Sequence, residues 1–92
     1  MTIRWTPTAL HDLESLHAYI CYDDPAAADA AAEKILTGIG ALAQHPEMGR
    51  SGRVPATRDL VAPPFVIAYR IRRAAVEILA IIHGARRWPE SF

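Results

Sequence analysis

Apolar residues recur twice at helical spacing and then at strand spacing along this chain, with proline and glycine marking the breaks. Ala9, Leu13, Leu16 and Ile20 form the first stripe and predict a helix to about Cys21. Thr6-Pro7 supplies its start. Threonine can cap the first turn, and proline loses nothing at a position whose N–H has no helical partner. Asp23-Asp24-Pro25 repeats that signal and opens a second helix carrying Ala28, Ala32, Ile35, Ile39 and Leu42 on one side, ended by His45-Pro46. Gly38 and Gly40 each cost such a helix about 1 kcal/mol against alanine, a cost that suits close approach of a neighbouring element. The short link between the two predicts an antiparallel helical hairpin.

Strand signals flank the helices. Ile3-Arg4-Trp5 is a short strand, and Glu47 to Gly52 is turn chemistry. Arg53 to Val61 predicts a strand that Pro55 restricts to an edge or a late start. Pro63-Pro64 breaks it. Phe65 to Arg72 and Ala75 to His83, rich in Val, Ile, Phe and Tyr, are the strongest strands, with Arg73-Ala74 between them. The order β-α-α-β-β-β predicts one α+β domain over residues 1–92. In it an N-terminal β-strand precedes a two-helix antiparallel hairpin, packed on one face of an antiparallel β-sheet.

A turn centred on Arg73-Ala74 fixes the pairing of the last two strands. Phe65, Ile67, Tyr69 and Ile71 then share an apolar face with Ile82, Ala80, Ile78 and Val76, which belongs under the helices. The other face pairs Val66 with Ile81, Ala68 with Leu79, Arg70 with Glu77 and Arg72 with Ala75. It is apolar at one end and charged at the other, and so a candidate binding surface.

Charge sharpens this picture. Residues 1–46 carry two cationic side chains against six carboxylates, a net of −4, whereas residues 47–92 carry eight arginines against four carboxylates, a net of +4. The zero overall charge thus conceals an arginine-rich second half, and guanidinium matches carboxylate or phosphate in a forked geometry that lysine lacks. Half the residues are apolar, which excludes a disordered chain. No apolar run approaches the roughly 18 residues of a membrane span, and no secretory signal opens the sequence. Cys21 is alone, so neither a disulfide framework nor a cysteine metal site is expected. A cytoplasmic protein without metal or cofactor is the expectation.

Arg50 and Arg53 sit in a glycine-bearing loop suited to phosphate or carboxylate contact, or simply to solvent. Arg58, between Thr57 and Asp59, is not core material. Arg70 opposite Glu77 reads as a cross-strand ion pair or as a recognition residue. His83 at a strand end is either a hydrogen-bonded structural residue or a general acid. Arg86 and Arg87 lie beyond the last strand, in a solvated tail or, as Trp88-Pro89 argues, in a segment anchored by the tryptophan. Trp5, Tyr19 and Tyr69 are read as core or helix–sheet contacts, and His11 and His17 as surface residues.

Trp5 before Thr6-Pro7, Asp12-Leu13, Tyr19-Ile20, His45-Pro46-Glu47-Met48-Gly49-Arg50, Thr57-Arg58-Asp59-Leu60-Val61, Ala68-Tyr69-Arg70 and His83-Gly84-Ala85-Arg86-Arg87-Trp88-Pro89 follow one another in order. Together they resemble the RelE/ParE superfamily of bacterial type II toxins over nearly the whole chain. The resemblance implies the fold derived above. It also implies a cytoplasmic toxin that regulates growth, held in a hetero-oligomer by a cognate antitoxin with an acidic segment.

Two activities are known in that superfamily. RelE-like members cleave mRNA on the ribosome, which needs a base, a stabiliser of phosphorane charge and an acid. The chain lacks the lysine pair and C-terminal tyrosine of RelE itself. Glu47, Arg58, Arg70, His83 and Arg86 are what an endoribonuclease reading would use. ParE-like members inhibit DNA gyrase without a recognised hydrolytic set. The Gly-Arg loop, the Thr-Arg-Asp-Leu strand and the Arg-Trp-Pro ending look most like that branch, with Arg50, Arg53, Arg58, Arg86, Arg87 and Trp88 as the target-binding residues. A non-toxic relative that only binds its antitoxin is a third reading. Charge and resemblance together place the antitoxin on the mixed sheet face, its apolar side on Val66, Ala68, Leu79 and Ile81, its carboxylates on Arg70 and Arg72.

Overall fold

In a computed structural model, residues 1–86 and 88–92 are described. Strand β1 (Thr2–Trp5) leads into helices α1 (Pro7–Asp23) and α2 (Pro25–Gln44), then β2 (Arg50–Ser51), β3 (Arg58–Ala62), β4 (Phe65–Arg72) and β5 (Ala75–His83). Both helix starts are as the sequence predicts. The Thr6 hydroxyl accepts the Ala9 N–H and an Asp24 carboxylate oxygen accepts the Ala27 N–H, each followed by proline in the first turn. The first helix runs two residues past Cys21, and the hairpin is clasped by His17 Nε2 and Asp29 Oδ1 at 2.8 Å.

The strand order is β1-β5-β4-β3-β2, with β1 parallel to β5 and every other pairing antiparallel. The sheet is therefore mixed. A parallel pair needs a long crossover, and everything from the helical hairpin through β4 serves as one here. The second predicted strand, Arg53 to Val61, starts later than the pattern indicates. Pro55 cannot donate to a ladder, and residues 52–57 close on themselves instead: Gly52 N–H donates to Thr57 O at 2.8 Å, and the Thr57 hydroxyl to Val54 O at 2.7 Å. Strand pairing resumes only at Arg58, with the separate two-residue β2 beside it.

The β4–β5 hairpin turns through Arg73 and Ala74, whose φ angles of 53° and 58° are those of a type I′ turn. The predicted register holds from Arg72↔Ala75 to Tyr69↔Ile78 and then slips by one, to Ala68↔Ala80 and Phe65↔His83. Leu79 is the extra residue of a β-bulge. The slip corrects the face assignment beyond it, because one inserted residue inverts the alternation. Ile81, expected on the mixed face, instead joins the helix-side core with Ile78, Val76, Ile67 and Tyr69.

Groups at the bulge are held by α1. Thr6 N–H and the Thr6 hydroxyl both donate to Ile78 O, at 3.1 and 2.7 Å, and Asp12 Oδ2 accepts the Ile81 N–H at 3.0 Å. Thus the strand edge that β1 leaves open past Trp5 is satisfied by the helix rather than by another strand. Ile35, Ile39 and Leu42 bury the α2 stripe against this face. Gly38 is the point of close approach, since a Cβ there would stand 3.3 Å from Leu60 Cδ2, whereas the space at Gly40 is open.

Candidate functional site

Tyr69 organises the loop that carries the first arginines. Its ring is fully buried, and its hydroxyl reaches through the sheet end to accept the Gly49 N–H at 2.8 Å and donate to Pro46 O at 2.8 Å. Arg58 completes the same clamp: Nη1 donates to Gly49 O at 2.8 Å and to Glu47 O at 3.3 Å. The sequence places Tyr69 in the core correctly, but spacing alone carries no sign of its polar task. Burial raises the phenol's pKa, with the Gly49 N–H and Arg58 pulling it down and Glu47 adding to the rise. Tyr69→Phe keeps the packing and orphans both loop groups. A loss of about 1–3 kcal/mol is expected in urea denaturation, and wild-type stability would remove the clamp from the account.

On the opposite sheet face, Arg70 Nε donates to Glu77 Oε1 at 2.6 Å, and Arg4 Nη1 lies 3.5 Å from Glu77 Oε2. The cross-strand pair expected at Arg70 is therefore present and extends to β1. The Arg70 hydrogen bond above all, then the charges of Arg70 and Arg72 and the contact with Arg4, hold the Glu77 carboxyl below its usual range despite some desolvation.

Among the described residues, grooves open around Arg70, which lines the three that follow. The largest, about 610 Å³, runs from the start of α1 (Thr6, Thr8, Asp12) past Leu79 and His83 to Arg86 and Phe92. A second, of about 200 Å³, lies between the Val54–Thr57 loop and Glu90–Phe92. The third, about 300 Å³, is bounded by Ser51, Thr57, Arg58 and Ile71. Arg70, His83 and Arg86 thus share one groove and Arg58 and Arg70 another, while Glu47 lines none of the three. His83 Nδ1 accepts the Ala85 N–H at 3.1 Å, which leaves Nε2 to carry the ring proton in the neutral form, and its ring stands edge-on to Phe65. The single lysine, Lys34, donates to Pro63 O at 2.9 Å and ties α2 to the β3–β4 turn.

The surface anticipated for a partner is already partly covered. Val66, Ala68 and Leu79 are buried, and residues 89–92 with residues 54–57 wall the grooves around Leu79. Arg72, Arg50, Arg53 and Arg86 are exposed, while Arg87 lies outside the described residues. The Arg53 guanidinium stacks on the Trp88 ring, 4.6 Å from its centroid. Asp59, paired with Arg50 across the β2–β3 ladder and marked in the sequence only as part of the Thr57-Arg58-Asp59 motif, is 2% exposed with neither carboxylate oxygen hydrogen-bonded. Alternation could have placed Asp59 on the same side as Val61, but nothing in the pattern says that the loop folds over it. Burial raises its pKa, offset in part by the Arg53 backbone N–H and by the guanidinium charges of Arg50 and Arg53.

Residues 3–88 match the family described as the ParE toxin of the type II toxin-antitoxin system parDE. The chain belongs to the ParE toxin family. The Y4kP protein of Sinorhizobium fredii is 47% identical over 90 residues, spanning 96% of this chain and 93% of that protein. The toxin RelE2 of Caulobacter vibrioides is 38% identical over 84 residues, spanning 91% and 96%. A solved structure of the chromosomal ParDE system from P. aeruginosa superposes with a TM-score of 0.81 at 26% identity, covering 90% of this chain and 95% of that one. This ParE-family toxin therefore has the two helices and five-stranded sheet of its relatives, and the RelE/ParE resemblance read from the motifs holds. Among its described residues no helix is long and apolar enough to cross a membrane.

Proposed function

We propose that this ParE-family toxin acts in the cytoplasm by binding DNA gyrase rather than by hydrolysis, and that a cognate antitoxin neutralises it in a hetero-oligomer. The observation that carries this reading is the division of the would-be catalytic groups. Glu47 sits on the loop that Tyr69 and Arg58 clamp, outside the grooves lined by His83, Arg70 and Arg86. Acid–base cleavage requires base and acid within hydrogen-bond reach of one scissile bond. An inhibitor that works by occupancy needs only a shaped, charged surface, which the exposed Arg50, Arg53 and Arg86 supply.

The experiment compares purified protein in a gyrase supercoiling assay and in an in vitro translation assay. Inhibition of supercoiling is expected without mRNA cleavage. Glu47→Gln and His83→Gln should retain it within about twofold, and Arg53→Ala with Arg86→Ala should weaken it by about tenfold or more, as loss of two charged contacts implies. The endoribonuclease reading has one observation in its favour, the shared groove of Arg70, His83 and Arg86. Codon-phased mRNA cleavage abolished by His83→Gln would establish that reading and refute ours.

A further inference from the structure

Residues 88–92 pass over the outer sheet face without secondary structure, so something other than a ladder must hold them there. Among the described residues, Trp88 has a charged partner in the stacked Arg53 guanidinium. The indole Nε1 is buried with no hydrogen-bond acceptor. Its attachment therefore rests on the stack and on apolar contact. Arg53 belongs to the 52–57 loop, whose Val54 is buried, so loop and segment close over the sheet as a pair.

Directly under that loop lies Asp59, a buried carboxylate without a hydrogen-bond partner. The Arg53 backbone N–H and the charges of Arg50 and Arg53 already act on that carboxylate, but no guanidinium is hydrogen-bonded to it, because Arg53 is engaged by the indole. The guanidinium thus has two competing partners, one on the closing segment and one on the sheet.

We infer that Arg53 is a two-position latch: stacked on Trp88 it holds residues 88–92 over the outer face, and turned to Asp59 it releases them. Release removes Pro89, Glu90, Ser91 and Phe92 from the walls of the two grooves that meet at Leu79 and Arg70. The apolar residues Leu79 and Val54 then become available to a partner. The gain of the Arg53–Asp59 ion pair offsets the loss of the stack, which keeps the two arrangements close in free energy and lets a partner that binds the open face shift the balance. The latch concerns the free chain and stands apart from the identity of the target.

The test uses full-length protein carrying Trp5→Phe, so that Trp88 is the only tryptophan, and reads acrylamide quenching of its fluorescence. Arg53→Ala, or Arg53→Gln if the first folds poorly by far-UV circular dichroism, should raise the quenching constant about twofold or more. Asp59→Asn should lower it, because the open position loses its ion pair. In the Arg53→Ala background Asp59→Asn should have no further effect, since both act through the same guanidinium. An unchanged quenching constant in the arginine variants, or an Asp59→Asn effect of equal size with and without Arg53, would overturn the latch.

Discussion

Gly49→Ala is expected to cost this protein a large share of its stability. The reason is space, not backbone conformation: Gly49 has no positive φ, but a Cβ there would stand 2.6 Å from the Tyr69 hydroxyl, 2.7 Å from Tyr69 Cε1 and 2.9 Å from Asp59 O. None of these can retreat cheaply. The Tyr69 ring is sealed in the core, and Asp59 O belongs to a paired strand. Relief must come from moving the 45–50 loop, which breaks the Tyr69 and Arg58 hydrogen bonds. Overpacking of about 1–3 kcal/mol and orphaned buried groups of similar cost together claim a large share of a domain stability of roughly 5–15 kcal/mol. A urea midpoint lowered by less than a quarter would show that the loop yields freely. Gly40→Ala is the matched control. With nothing within 4 Å of the added methyl in a helix interior, it should stabilise by about 0.5–1 kcal/mol.

That contrast also shows what the sequence discloses and what it withholds. Both glycines interrupt or follow the α2 pattern and look equivalent along the chain, as do Gly38 and Gly40. Only the approach of a second element distinguishes them. The elements themselves are legible because their signals are local: caps at Thr6 and Asp24, a period of 3.6 through Leu42, and a turn at Arg73-Ala74 that sets the first four pairs of the last hairpin. The bulge at Leu79 is not local. It is stabilised by Thr6 and Asp12, some seventy positions away in the chain, and it carries Ile81 to the opposite face. A face assignment based on alternation therefore succeeds up to the bulge and inverts beyond it.

The candidate site divides along the same line. Arg70 with Glu77 is predictable, since cross-strand neighbours follow from register. Arg58 is correctly marked as out of place in a core. Its engagement with Gly49 O and Glu47 O, however, depends on where the post-helical loop folds, and that in turn depends on Tyr69. The groove walls beside Leu79 come from segments with no periodicity, residues 54–57 and 89–92, and Trp88 at the start of the second is held by a single side chain, Arg53. Patterns of hydrophobicity report on elements and are silent on such segments.

Asp59→Asn is expected to stabilise the protein at neutral pH, by about 1–3 kcal/mol, because it removes a buried charge that lacks a hydrogen-bonded partner while retaining the side-chain shape. The pH dependence fixes the sign. Burial raises the folded-state pKa of Asp59 above its ordinary 3.8, so between those two values the folded chain binds more protons than the unfolded one. Its contribution is thus favourable below about pH 3.8 and is lost as pH rises through the raised folded value. Glu77 acts in the opposite sense: its lowered pKa stabilises above the ordinary 4.5 and the benefit fades as pH falls through the lower folded value. Melting temperatures measured from pH 3 to 8 separate the two. The advantage of Asp59→Asn over wild type should grow from near zero in acid to its full size at neutrality, leaving the variant with the acid-side loss expected of Glu77. A variant less stable than wild type at neutral pH would mean that Arg50 and Arg53 already neutralise Asp59 in the closed form. The guanidinium would then have no second position to gain, and Arg53 would be a fixed strut rather than a latch.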